Sequence, residues 1–215
     1  MNLNKSYSIN YEYKNILLKH FKDIGTIIDF EKDTLIEFEF KKLDYLYLIL
    51  DGIVKQSFLD LEGAERTILI LSNGDMFGEI TMLQQDTDRV ITKTYSDVKV
   101  CKINKSVFHN YLQENPLVYD SILLMITTKF RILMSQLYDN AYLSTKERLF
   151  SLLKRLSIQQ NSLKESGYDL DLNLTHEELA NMIGSTRSTV TRTMKLLESE
   201  DKIIRDGKKI SICDS

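Results

Sequence analysis

The stretch from Leu174 to Leu197 constrains the fold most strongly, because it encodes two short helices joined by a tight turn. Thr175 is a good N-cap, and Glu178 follows three residues later, which is the spacing of a capping box. Gly184 ends the first helix, since glycine adopts the left-handed cap conformation at little cost. The second helix has one apolar face and one basic and hydroxyl face, and no acid lies between Gly184 and Leu197.

A helix, a glycine turn and a basic second helix form the helix-turn-helix pattern, whose second helix enters the DNA major groove. The alternative is an ordinary helical hairpin with a solvated charged face. On the first interpretation, the candidate DNA contacts are Thr186, Arg187, Ser188, Thr191, Arg192 and Lys195.

The composition restricts the setting in which such a chain acts. Its 215 residues carry a net charge of -3, so a nucleic-acid contact must come from a local basic patch. The two cysteines, Cys101 and Cys213, lie far apart, which favours a reducing compartment over a disulfide scaffold. Neither a signal-peptide apolar region nor a membrane-spanning run is present, so we expect a cytoplasmic protein with no membrane partner.

The first half of the chain is typical of a small antiparallel barrel. A short helix is predicted over Tyr11 to Phe21, and a strand-like pattern follows from Thr26 to about Ile103. Asp-Gly, Glu-Gly and Asn-Gly dipeptides separate the strands, as in antiparallel hairpins. The predicted strands are 27–30, 35–40, 45–50, 54–59, 67–71 and 98–103, with Leu46, Leu48, Leu50, Ile68 and Ile70 filling the core.

A helical period begins after Lys105 and gives a short helix, ended before Pro116, and a long one from Leu117 to about Ala141. In the long helix, apolar residues alternate at spacings of three and four, which is the seam of a coiled coil and predicts a homodimer. A second apolar stripe would face the barrel, while polar residues argue against a helix buried on all sides. The seam comprises Leu123, Ile126, Phe130, Leu133, Leu137 and Asn140, the stripe Ile122, Met125, Ile132, Met134 and Tyr138, and the polar set Lys129, Arg131, Gln136 and Asp139.

The last third of the chain adds a helix from Lys146 to Ile158 and a closing hairpin around Asp206-Gly207. A strand over 168–173 can pair with that hairpin, which makes the domain a winged helix-turn-helix. Lys208 and Lys209 on the wing are candidate phosphate contacts, and solvated surface lysines are an equal alternative.

In this order, the barrel, the long helix and the winged helix-turn-helix resemble the Crp/Fnr family of bacterial transcription regulators. The matching segments are 47–52, 73–79, 174–197 and 201–204. The resemblance implies an α+β fold: a cyclic-nucleotide-binding-type barrel (jelly roll) over 1–115, a dimerisation helix over 116–141 and a winged helix-turn-helix over 142–215. It also implies a homodimer that binds a palindromic double-stranded operator. RNA polymerase is a further candidate partner, although no pattern marks its contact surface.

The family's recognition helix carries a pattern like Arg-Glu-x-x-x-Arg, which falls here on Arg187, Ser188 and Arg192. Arg192 is the first candidate for base reading, because an arginine can give two parallel hydrogen bonds to guanine. Ser188 stands where many members have glutamate, so the half-site should differ from theirs.

The resemblance also places an effector pocket, for which the candidates are Gly78, Glu79, Arg89, Val90, Leu133 and Met134. In cyclic-nucleotide-binding members a glutamate binds the ribose, and an Arg-Ser pair binds the phosphate. Here Glu79 is present, but Val90 follows Arg89 where serine is expected, and Asp88 adds a negative charge. Leu133 and Met134 replace the Thr and Ser that face adenine, so neither can read a purine edge.

These departures predict a regulator controlled by a small apolar or aromatic molecule in a barrel with an apolar floor, or by no ligand. The alternative is a cAMP- or cGMP-responsive regulator that uses Glu79 and Arg89. The sequence lacks the N-terminal cysteine cluster that an iron–sulfur sensor needs, and its histidines do not cluster as haem ligands would. A metal-dependent barrel enzyme is disfavoured, because residues 26–103 contain no histidine. A non-DNA interaction protein is the remote alternative, and the intact basic face argues against it.

Overall fold

The structure, a computed structural model, describes residues 11–37, 44–85, 89–159, 163–164, 167–170, 174–207 and 209–213. The chain divides into two compact units, and the division falls between Leu133 and Met134. The elements up to that division are α1 (Glu12–Phe21), β1 (Thr26–Phe30), β2 (Leu35–Glu37), β3 (Tyr45–Asp51), β4 (Ile53–Leu59), β5 (Glu65–Ser72), β6 (Met76–Phe77), α2 (Glu79–Gln84), β7 (Val90–Thr94), β8 (Val98–Asn104), α3 (Lys105–Glu114) and most of α4 (Val118–Tyr142).

The described strands of the first unit form two four-stranded antiparallel sheets, in the orders β1-β8-β3-β6 and β2-β7-β4-β5. The predicted glycine turns are present: Gly52, Gly63 and Gly74 have φ values of +87°, +84° and +82°. The α+β fold with an antiparallel barrel is therefore confirmed. The sequence pattern missed α2, β6 and β7, whose two to six residues are too short for a clear period.

One face of the first sheet is covered by α1, α3 and the beginning of α4. Leu46 and Leu48 of β3 and Cys101 and Ile103 of β8 join the apolar side chains of those helices in one cluster. Burial raises the pKa of the Cys101 thiol, which is consistent with a core position. The predicted inward residues Leu46 and Leu48 are thus buried, against the helices.

In the second sheet, β5 buries the opposite set of side chains from the one that the sequence predicts. Thr67, Leu69 and Leu71 of β5 are buried, whereas Ile68 and Ile70 are only half-buried. Side chains alternate between the two faces of a strand, so a prediction that is wrong by one residue assigns every side chain to the wrong face. Threonine is tolerated on the buried face because the hydroxyl of Ser57 lies 3.4 Å from that of Thr67.

The long helix α4 follows the predicted limits but buries a different stripe. Ile122, Met125 and Ile132 are buried as predicted, whereas Met134 and Tyr138 are 48% and 49% exposed. The buried stripe passes instead through Lys129, Ser135 and Asp139. The prediction that Lys129 and Asp139 mark an exposed side of α4 is therefore wrong. Both side chains are buried because each is paired with an opposite charge.

The second unit is a winged helix-turn-helix. Its further elements are α5 (Thr145–Gln159), β9 (Leu163–Lys164), β10 (Gly167–Leu170), α6 (His176–Ile183), α7 (Arg187–Ser199), β11 (Ile203–Asp206) and β12 (Lys209–Ile212). The four strands form one antiparallel sheet in the order β11-β12-β10-β9, so the expected pairing of the strand near 168 with the hairpin is confirmed. A buried ion pair between Arg155 of α5 and Asp139 of α4 ties those two helices together.

Candidate nucleic-acid interface and effector site

The helix-turn-helix has the cap geometry that its sequence predicts. The Thr175 hydroxyl accepts from the Glu178 amide at 3.2 Å, and the Glu178 carboxylate accepts from the Thr175 amide at 2.8 Å, which completes the capping box. Gly184 ends α6 with a φ of +61°. Thr186 then caps α7 by accepting from the Thr189 amide at 3.2 Å. These local contacts fix the angle at which α7 leaves the turn.

The apolar face of α7 is buried, and its polar face is open to solvent. Val190, Met194 and Leu197 are at most 2% exposed. The predicted DNA contacts that the structure brings together on the exposed side are Thr186, Arg187, Ser188, Arg192 and Lys195. No acidic side chain interrupts this set between Gly184 and Leu197.

Thr191 differs from the other predicted contacts because it is half-buried, and its hydroxyl has two hydrogen-bond partners within the protein. It donates to the Arg187 carbonyl oxygen at 2.9 Å and therefore accepts from Nδ1 of His176 at 2.8 Å. Burial lowers the pKa of His176, and the cations Arg205 and Arg187 lower it further. Thr191 and His176 thus fix α6 against α7.

The wing is also held by charged contacts. Nη2 of Arg205 in β11 lies 2.9 Å from a carboxylate oxygen of Glu198 in α7, and this pairing lowers the pKa of Glu198. Lys209, predicted to contact phosphate, pairs with the buried Asp169 at 2.8 Å while its side chain is 42% exposed. Its ammonium group is therefore engaged within the sheet. Lys208 lies outside the described residues.

The predicted effector residues fall in different environments. Gly78 and Glu79 are buried at the start of α2, whereas Arg89 is exposed and Val90 is half-buried in β7. Leu133 and Met134 are 37% and 48% exposed. Asp88 lies outside the described residues. The structure therefore buries the glutamate end of the nucleotide-binding pattern but not its arginine.

Glu79 has a partner that the sequence pattern did not suggest. Nζ of Lys129 donates to Oε1 of Glu79 at 2.7 Å and to the Met76 carbonyl oxygen at 2.6 Å. The sequence contains one indication that Lys129 is buried, because it falls at helical spacing with Ile122, Met125 and Ile132 on the buried stripe of α4.

Buried polar groups lie among the apolar side chains on the strands of the second sheet. Nε2 of Gln56 donates to the Thr92 hydroxyl at 3.2 Å, and that hydroxyl donates to the Glu37 carboxylate. Burial raises the pKa of Tyr47, as do the neighbouring Tyr45 and Glu37. A buried carboxylate and hydroxyls are tolerated here because they are hydrogen-bonded to one another.

The predicted seam of α4 is exposed on the single chain. Leu123, Phe130 and Leu137 are 59%, 62% and 63% exposed, and Ile126 is half-buried between them. Such a continuous apolar stripe marks an interaction surface. Of the helices in the described ranges, none has the length and apolarity needed to cross a membrane. The described residues also hold no group of three or more His, Cys, Asp or Glu arranged for a metal ion.

Comparison with known proteins assigns both halves of the chain to described domains. Residues 27–115 match the cyclic nucleotide-binding domain, and residues 147–215 match the Crp-like helix-turn-helix domain. The cAMP-activated global transcriptional regulator CRP of Escherichia coli O6:H1 is 25% identical over 182 residues, which cover 84% of this chain and 86% of that protein.

Solved structures show the same fold. The c-di-GMP responsive global regulator CLP of Xanthomonas campestris superposes with a TM-score of 0.75 at 18% identity, covering 94% of this chain and 100% of that one. A CooA mutant from Carboxydothermus hydrogenoformans gives 0.76 at 20% identity, covering 95% and 88%. Two domain matches in family order, full-length relatives and a shared fold lead to one assignment: this chain belongs to the Crp/Fnr family of DNA-binding transcription regulators.

Proposed function

We propose that the protein is a cytoplasmic homodimeric regulator that binds a palindromic operator through α7 and is not controlled by a cyclic nucleotide. The observation that carries the DNA-binding part is the exposed face of α7, where Arg187, Ser188, Arg192 and Lys195 lie together without an acid. Two such helices about 34 Å apart would read two half-sites one turn of DNA apart. In this proposal residues 1–115 form the effector-sensing barrel domain, residues 116–141 form the dimerisation helix, and residues 142–215 form the DNA-binding domain.

The base-reading roles follow from the chemistry of each side chain. Arg192 reads guanine through two parallel hydrogen bonds, and Arg187 supports it at the first turn of the helix. Ser188 offers a hydroxyl that can both donate and accept, whereas a glutamate at that position would accept from cytosine N4. Lys195 contacts phosphate, and we leave Thr191 and Lys209 out of the interface because other side chains engage them.

Exchanging Ser188 for glutamate should change the preferred half-site. A carboxylate accepts from cytosine more strongly than a hydroxyl, so one base position should shift by about 1–3 kcal/mol in preference. Selection from a randomised duplex library by both proteins measures the shift. The matched control is Ser188→Ala, which should relax that position without a new preference. An identical motif from wild type and Ser188→Glu would contradict the role of Ser188.

The dimer is supported by the exposed apolar stripe of α4. Replacing Phe130 and Leu137 with aspartate should give monomers, because each chain loses about 2–4 kcal/mol of apolar burial in the seam, since the two side chains are 62% and 63% exposed in the single chain. Sedimentation velocity measures the result, and binding to a palindromic duplex should fall with it. Arg131→Asp is the control, since Arg131 is exposed on the same helix away from the stripe. A dimer that survives the double substitution would place the interface elsewhere.

The effector part is supported by the pairing of Glu79. Oε1 of its carboxylate binds the Lys129 ammonium from within the chain, and Arg89 is exposed. The competing candidate is a cAMP- or cGMP-responsive regulator, which the match to the cyclic nucleotide-binding domain favours. Titration calorimetry of the dialysed protein separates the two. We expect no saturable heat with either nucleotide, and micromolar binding would establish the competing candidate.

A further inference from the structure

A buried ion pair joins the long helix to the segment that carries the family's ribose-binding glutamate. Nζ of Lys129 lies 2.7 Å from Oε1 of Glu79, and the two side chains are 9% and 11% exposed. The same ammonium group donates to the Met76 carbonyl oxygen at 2.6 Å. Lys129 thus connects α4 to both β6 and α2.

Lys129 provides the charge compensation that Glu79 needs. Oε2 of Glu79 has no hydrogen-bond partner among the described residues, and Oε1 makes the contact with the ammonium group of Lys129. A buried carboxylate is stable only when a cation or several donors compensate it. A diffusible molecule that binds Oε1 of Glu79 must therefore displace an ammonium group held in place by the chain itself.

The backbone fixes where Glu79 can be. Gly78 has a φ of +87°, and a Cβ atom there would lie 3.1 Å from both Oε1 of Glu37 and the Tyr45 carbonyl oxygen. The start of α2 is therefore packed tightly against β2 and β3. Since Glu79 follows directly, the packing restricts the backbone from which its side chain reaches Lys129 of α4.

The pair lies beside the proposed dimer seam. Lys129 is the neighbour of Phe130 and lies one turn after Ile126, and both of those residues belong to the seam. A shift of α4 that breaks the pair would move these seam residues as well. The ion pair and the packing between two subunits are therefore coupled through one turn of helix.

We propose that Lys129 takes the place of a diffusible effector: it binds Glu79 from within the chain and holds α4 in the arrangement that binds DNA. The inference rests on the proposed function and specifies its regulation. It implies a regulator that binds its operator without an added small molecule. It also identifies Lys129 as the residue that competes with a ligand for Oε1 of Glu79.

The test compares operator binding by dialysed full-length variants, using fluorescence anisotropy with the duplex selected by wild type. The key variant is Glu79→Gln with Lys129→Met, which removes the tether without leaving a buried charge. Its affinity for the operator should fall by about tenfold or more, while its affinity for a random duplex stays unchanged. Arg131→Met, which removes an exposed cation from the same helix, should bind as wild type does.

The exchanged pair, Glu79→Lys with Lys129→Glu, should recover most of the lost affinity. Circular dichroism confirms that each variant is folded. Wild-type affinity in the Glu79→Gln/Lys129→Met protein would overturn the tether while leaving the proposed function intact, as would an exchanged pair that recovers nothing. An affinity of wild type that rises tenfold with added cAMP would overturn it too. Absence of any sequence-specific binding by wild type would overturn the proposed function and the tether together.

Discussion

Replacing Arg187 and Arg192 together with alanine is expected to abolish operator recognition while leaving the fold intact. Both side chains are exposed on α7, so their loss removes no core packing. A good bidentate arginine–guanine contact contributes about 1–3 kcal/mol, so the two together account for roughly 30-fold to 20,000-fold in affinity. Anisotropy with operator and random duplexes measures the loss, and thermal unfolding checks the fold.

Two controls make this result specific to base reading. Lys195→Ala removes a proposed phosphate contact, so it should weaken all duplexes alike and reduce the salt dependence by about one counterion. Arg66→Ala, an exposed arginine on β5, should leave DNA binding unchanged. Specific binding retained by the Arg187→Ala/Arg192→Ala protein would rule out α7 as the reading element.

Replacing Arg155 with methionine should lower the free energy of unfolding by about 3–5 kcal/mol, because it leaves the Asp139 carboxylate buried without its cation. Nη1 of Arg155 lies 3.2 Å from Asp139 and 3.1 Å from the Ser135 hydroxyl, and the charged side chains are 6% and 7% exposed. Ser151 also donates to Asp139, at 2.7 Å, but a single hydroxyl cannot replace a positive charge. Urea unfolding followed by circular dichroism measures the change.

A double replacement distinguishes the charge effect from a packing effect. Asp139→Leu with Arg155→Met should recover most of the lost stability, since a buried pair can often be exchanged for apolar residues at little cost. Lys195→Met, at an exposed position of α7, is the matched single control and should change stability by less than about 0.5 kcal/mol. Equal destabilisation in the single and double variants would show that shape, not charge, makes Arg155 important.

The helix-turn-helix could be predicted from sequence because its determinants are local. The capping box of Thr175 and Glu178, the left-handed Gly184 and the cap at Thr186 each involve residues within four positions. The apolar period of the helices then specifies which face is buried. The exposed arginines of α7 follow directly from these two facts.

The buried charges could not be predicted with the same success, because their partners are distant in the chain. Lys129 pairs with Glu79 across 50 positions, and Asp139 pairs with Arg155 across 16. From composition alone, a charged residue on a helix indicates exposure. The parity of β5 was missed for a related reason, since Ile68 and Ile70 are more apolar than the buried Thr67. In each case a tertiary contact outweighs the local preference for exposing polar residues and burying apolar ones.

The most direct test of ligand-independent operator binding is selection of genomic DNA fragments by purified, dialysed protein, repeated with added cAMP and cGMP. We expect one palindromic motif with half-sites about one helical turn apart, enriched equally with and without nucleotide. A motif that appears only with a cyclic nucleotide would contradict the roles assigned to Glu79 and Lys129. The absence of any motif under all conditions would contradict the central claim that this chain binds specific DNA without an added ligand.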